Sequence, residues 1–232
     1  MGFDVTYHPM RQQSMQEWYF DRLAEARSGD WSGMTALAAQ AGLNEQLVNM
    51  YRQILQAGVE TNDNETFEKT HVYYMAAAQG LFADYFYTRG TLFSDLVARK
   101  PSMGKYVTAW EQVRPEGFAN PCSGGLEENY SGGVYISSNQ CKELLVDNEG
   151  DEQVHAILQD FFGGNLPVFL KAAKVAVGGG AGLVEASEII EPDPFDLENT
   201  GGVTDINHCD PDGVMEYVRM AAEQVRAATQ AG

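Results

Sequence analysis

Basic residues are what this sequence lacks most. Fifteen Lys and Arg stand against 33 Asp and Glu, a formal net charge of −18. A surface of that sign repels nucleic-acid phosphates and anionic lipid headgroups, so neither nucleic acid nor a membrane is an expected partner. Cysteine is scarce too: Cys122, Cys141 and Cys209, with no CxxC spacing. An odd, sparse set argues against a disulfide scaffold. No apolar run approaches the roughly 20 residues that span a bilayer. The start, Met1-Gly2-Phe3-Asp4-Val5-Thr6-Tyr7, has no charged segment leading into an apolar one. A cytoplasmic location is the expectation.

Hydrophobic content is 44% and charged content 21%, both ordinary for a globular chain. A chain of 232 residues can bury a core without disulfides or metals. One compact domain over 1–232 is expected. A subdivision near 101 would separate a helical half, 1–100, from an acidic α+β half, 101–232. The acid is unevenly placed, with a net −4 in the first half and −14 in the second. From Glu185 to Asp212 there are nine carboxylates and no Lys or Arg.

The hydrophobic pattern favours helices first, then short strands mixed with helices, hence an α+β fold, mostly helical with a small sheet of short strands. Phe3 to His8 reads as a strand ended by Pro9. Met15, Trp18, Tyr19, Leu23 and Ala26 have helical spacing. Asn44 is a predicted N-cap for a helix carrying Leu47, Tyr51, Ile54 and Leu55. The longest helix is expected from Glu65 to Tyr87, with Asn62-x-x-Glu65 as its capping box and a stripe including His71, Tyr74, Met75, Ala78, Phe82, Tyr85 and Phe86. Beyond Pro101, Val134 to Ile136 reads as a strand, and Ser137-x-x-Gln140 as a capping box. Leu183 to Ile190 is the best strand of the second half. Asp210-Pro211-Asp212 supplies a cap, an N1 proline and a first-turn acid for a last helix, Val214 to Thr229.

Few constellations carry chemistry. His208, Cys209 and Asp210 are metal-ligand types, but adjacent residues rarely converge on one ion, and the helix start already explains Asp210. They are weak metal candidates, and no cofactor is expected. His71 lies on an apolar stripe and reads as a core histidine. Cys141 is in a first helical turn, where a thiol pKa would fall, yet its apolar setting points to burial. The run Gly178-Gly179-Gly180-Ala181-Gly182 follows a helix and precedes a strand, the reverse of a dinucleotide fingerprint.

The leading expectation is an acidic binding protein that neutralises a basic protein, such as an immunity protein against a toxin or nuclease. Glu185, Glu188, Glu191, Asp193, Asp196 and Glu198 would form the contact surface, with Tyr130 and Tyr135 as aromatic anchors. One alternative is a small-molecule hydrolase drawing on His8, His208, Cys209 and Asp210 if the chain ends meet. Another is a helical interaction module using the stripe from Phe67 to Phe86. Oligomeric state is not legible.

Overall fold

Chain segments from both sides of Pro101 interleave in one sheet. The computed structural model describes residues 3–61, 67–114 and 129–230. The sheet has five strands in the order β3-β4-β1-β2-β7. β1 (Asp4–Met10) runs antiparallel to β2 (Tyr85–Arg89) on one side and to β4 (Gly182–Ser187) on the other. β3 (Gly132–Ile136) pairs antiparallel with β4, and β7 (Cys209–Asp210) pairs parallel with β2. A second sheet consists of the hairpin β5 (Ile190–Glu191) and β6 (Gly201–Gly202).

Alternation along the strands builds two cores. Val5, Tyr7, Phe86, Val134, Ile136 and Leu183 point to one face. That face is covered by α6 (Phe93–Arg99), α8 (Ser138–Gly150), α9 (Glu152–Phe162) and α10 (Leu166–Gly178). Met10, Tyr135, Val184 and Ala186 point to the other face. There they meet α1 (Gln12–Met15), α2 (Asp21–Arg27), α3 (Ser32–Gln40), α4 (Glu45–Glu60), α5 (Phe67–Gln79) and α7 (Trp110–Val113). A π-helical turn, Gln16–Phe20, joins α1 to α2. The last helix, α11 (Pro211–Gln230), packs against β2 through Val214 and Tyr217. The fold is thus mostly helical α+β, as the hydrophobic pattern indicates.

Local signals fix many boundaries. Asn44 Oδ1 accepts from the Leu47 amide at 3.0 Å, capping α4. Ser137 and Gln140 form the full capping box of α8. Asp210 Oδ1 accepts from the Asp212 amide at 3.2 Å at the start of α11. The Asn62–Glu65 capping box lies outside the described residues.

Three expectations are corrected. The long helix to Tyr87 stops at Gln79, and Tyr85–Arg89 is strand β2. Tyr85 and Phe86 follow Phe82 at helical spacing, but they equally suit a pleated surface. Gln79 marks the change: its Nε2 lies 3.4, 3.3 and 3.1 Å from the carbonyls of Pro9, Ala83 and Asp84, satisfying the chain where it leaves the helix. β1 runs through Pro9 to Met10. Beyond Tyr7 it no longer pairs with β2, so the proline lies where that side of the ladder is open. The strand from Leu183 to Ile190 is broken at Glu188, whose φ of 58° turns the chain from β4 into the hairpin.

Candidate functional site

The acidic stretch folds as the hairpin β5–β6 and its connection. Asp193 Oδ1 accepts from the Phe195 amide at 2.9 Å, and Thr200 Oγ1 donates to the Leu197 carbonyl at 2.8 Å, so the connection is ordered by its own short polar side chains. Thr204 Oγ1 ties the following residues to α5 by donating to the Ala77 carbonyl at 2.7 Å. The hairpin presents Asp193, Asp196 and Glu198 to solvent. Among the described residues none of these three, nor Glu191, makes an ion pair. Between them Phe195 is 72% exposed and Leu197 41%, with Ile206 nearby in sequence at 46%. Among the described residues Phe195 is the most exposed large apolar side chain, and it lies among carboxylates that make no ion pair.

Beneath the hairpin is a cavity of about 400 Å³. Its apolar wall comes from Met50, Ile54 and Ala57 of α4, Ala77 of α5, and Val203. Its aromatic wall is Tyr73, Tyr74 and Tyr130. The Tyr73 and Tyr74 ring centroids are 5.4 Å apart at 68°, and those of Tyr73 and Tyr130 6.1 Å apart at 89°. The rings therefore stand edge to face rather than stacked. Tyr130 adopts a left-handed φ of 57°, and its hydroxyl donates to Glu191 Oε1 at 3.0 Å. Gln53 and Gly202 complete the lining, so among the described residues no Lys or Arg lines the cavity.

The charged side chains that act on Tyr73 and Tyr130 are acidic. Tyr73 has its pKa raised by burial first, then by Tyr74, Tyr130, Glu191 and Glu188. Burial, opposed by a backbone hydrogen bond from Asp4, pushes Glu188 up to about 7, with the charges of Asp4 and Glu191 adding to the rise. Arg89 pairs with Asp4, which also accepts from the Tyr87 hydroxyl. That guanidinium is spent on Asp4.

The structure divides the expected contact residues. Tyr130, Glu191, Asp193, Asp196 and Glu198 lie at the hairpin and the cavity. Glu185 does not reach the surface: it is 1% exposed, on the face of β4 opposite Val184. There it accepts from the Phe93 and Ser94 amides at 2.5 and 3.2 Å, at the start of α6. Tyr135 is buried against Trp110, with ring centroids 5.6 Å apart, and is a core residue rather than an anchor. Glu188 is 9% exposed and tied to Asp4, which withholds most of it from a partner. Sequence reasoning missed Tyr73, Tyr74 and Met50 as cavity residues and Phe195 and Leu197 as exposed ones. The only signal for the latter pair was an apolar residue in each gap of a carboxylate run.

His8, Cys209 and Asp210 enter one sheet without converging, and His208 ends a 3-10 turn, Ile206–His208, outside it. His8 and Cys209 lie on either side of β2, with the Tyr85 ring stacked on His8 at 5.0 Å. Two strand spacings, about 10 Å, separate them. His8 is fully buried, with Nδ1 2.6 Å from Gln79 Oε1 and Nε2 2.9 Å from Thr6 Oγ1. Burial drops its pKa to about 4, so it is a neutral structural residue. Asp210 is paired with Lys171 at 2.7 Å, and burial pushes the Cys209 thiol up to about 12. Among the described residues no three His, Cys, Asp or Glu side chains group as metal ligands. Cys141 is buried and likewise raised to about 12, so desolvation outweighs the helix dipole. His71 is a core histidine, with Nδ1 2.8 Å from the Tyr19 hydroxyl. Of the expected stripe, His71, Met75 and Ala78 are buried on α5 and Tyr85 and Phe86 in β2, while Tyr74 and Phe82 are partly buried. Cys122 lies outside the described residues.

Among the described residues no helix is long and apolar enough to cross a membrane. No known family model, curated protein or solved structure matches the chain.

Proposed function

We propose that the chain is a binding protein for a basic protein partner, and that the hairpin β5–β6 is its contact surface. Neutralising that partner by covering a cationic cleft, as an immunity protein does to a toxin or nuclease, is the role this surface suits. The observation that carries the proposal is the pairing of Phe195 and Leu197, exposed and apolar, with Asp193, Asp196 and Glu198, exposed and without ion pairs among the described residues. Apolar anchors ringed by charge combine the two parts of a specific interface. The anchors supply affinity by leaving water. The carboxylates speed encounter with a cationic surface and select against acidic ones. The net charge of −18 extends the same field over the molecule.

The test is a paired substitution series on the hairpin, with binding to the captured partner as readout. Asp196→Lys with Glu198→Lys is expected to weaken binding about 100-fold, chiefly by slowing association. Phe195→Ala is expected to weaken it about tenfold or more through faster dissociation. Asp193 is left in place because it holds the turn at Phe195. Unchanged affinity in both variants would remove the hairpin as the contact surface.

A further inference from the structure

We infer that the tyrosine-lined cavity receives the cationic side chain of a lysine or arginine of the partner. The inference rests on the basic-partner reading and goes further by naming the group recognised and the residues that hold it. Three observations meet at this place. The rings of Tyr73, Tyr74 and Tyr130 line one cavity and meet edge to face at 68° and 89° rather than stacking. Electron-rich ring faces attract an ammonium or guanidinium, and the attraction grows when water is excluded. Glu191 holds the Tyr130 hydroxyl at 3.0 Å, placing a carboxylate at the rim. The Tyr73 hydroxyl feels both Glu188 and Glu191.

The third observation is the rest of the wall. Met50, Ile54, Ala57, Ala77 and Val203 are apolar, and about 400 Å³ is ample for one long side chain. A lysine or arginine carries its charge on an aliphatic stem, so it offers an apolar length for that wall and a cation for the tyrosines. A purely apolar side chain would leave the carboxylate of Glu191 at the rim unanswered. An acidic side chain would be repelled. Among the described residues the lining has no basic side chain that already fills this role. The cavity also shares its wall with the contact surface, because Gly202 of β6 and Val203 lie at the base of the hairpin that carries Asp196 and Glu198. A partner docked on the hairpin tip would bring its side chains to the cavity mouth.

The test uses Nα-acetyl-lysine amide and Nα-acetyl-arginine amide, with the uncharged Nα-acetyl-norleucine amide as control. Each is titrated into the intact protein while the tyrosine ring signals are followed by NMR. The expected result is saturable binding in the millimolar range, with at least one cationic probe about tenfold tighter than norleucine and shifts centred on Tyr73, Tyr74 and Tyr130. Tyr130→Ala should weaken that probe about fivefold or more. Should that variant fail to fold, Glu191→Gln serves, with a loss of about threefold expected from removal of the rim charge. Equal binding of the norleucine probe, or no binding by either cation, would overturn the inference. Failure of this inference is distinct from failure of the surface reading. Asp196→Lys with Glu198→Lys should leave probe binding within about threefold, because those groups line the hairpin rather than the cavity. If the cationic probes do not bind while that double variant still loses the partner, the hairpin stands and the cavity falls.

Discussion

Glu185 and His8 lie on opposite faces of the same sheet, both fully buried, and their protons respond to folding in opposite senses. Burial lifts the Glu185 carboxyl from an ordinary 4.5 to about 7, against the hydrogen bonds it accepts from Phe93 and Ser94. The folded state therefore holds that proton more tightly than the unfolded chain. Its contribution is most favourable below about pH 4.5 and is lost as pH rises through about 7. His8 falls from 6.5 to about 4, so its contribution is complete above about 6.5 and lost as pH falls through about 4. Replacing Glu185 with Gln keeps an acceptor oxygen and removes the titration. The stability of Glu185→Gln relative to wild type should rise by about 2–3 kcal/mol between the acid and neutral ends of that window. Urea unfolding across the window measures it. A difference that does not change with pH would show that the carboxyl titrates normally.

Gln79 is the second residue on which local structure depends. Its Nε2 serves carbonyls of β1 and of the turn into β2, so its Oε1 must accept, and His8 Nδ1 must be the protonated nitrogen. Gln79→Leu matches the volume but strands these groups in the core. A loss of about 3 kcal/mol in unfolding free energy is expected. A loss under about 0.5 kcal/mol would mean that other groups or water replace the amide. Neither role was legible in the sequence. Glu185 reads there as one more acid in a run of nine, because its burial depends on α6 arriving from ninety residues upstream, a contact that no local pattern encodes.

Elements were legible where their signals are local. The caps at Asn44 and Ser137 and the start of α11 depend on residues within one turn of each other, and all three are present. β2 was not legible, because aromatics at Phe82, Tyr85 and Phe86 satisfy helical spacing as well as a strand's need for large flat side chains. Tertiary pairing with β1 decided between them. The carboxylates of the hairpin were legible as an acidic segment, but its fold and the cavity beneath it were not. The cavity joins α4, α5, residue 130 and β6, which lie far apart in the chain.

α11 docks closely on β2. Gly213, in its first turn, is buried, and a Cβ there would lie 1.7 Å from the Tyr87 carbonyl oxygen. Backbone cannot yield as a flexible side chain does. Gly213→Ala should push the helix from the sheet and destabilise the fold by about 2–4 kcal/mol, despite alanine's better helix propensity. Thermal unfolding of the variant checks this, and an unchanged or higher Tm would contradict the close packing.

For the whole molecule the controlling quantity is charge. The sheet draws on both sides of Pro101, yet the acid is concentrated after it, −14 against −4. Within that half the structure sorts the carboxylates. Glu185 is turned inward, Glu188 is buried against Asp4, Asp210 is paired with Lys171, and Asp193, Asp196 and Glu198 are left facing water. Sequence can count such charges but cannot tell a buried one from an exposed one, since that depends on which strand face each residue occupies. Interactions among exposed charges are screened over about 8 Å at physiological ionic strength, so binding led by this surface must be salt-sensitive. The most direct measurement is capture from the protein's native lysate on immobilised wild type and on Asp196→Lys/Glu198→Lys, each at low and high salt, with the retained proteins identified by mass spectrometry. The expected result is a basic protein held by wild type at low salt, reduced at high salt, and absent from the double variant. Retention of no basic protein, or of one held equally by both forms at both salts, would contradict it.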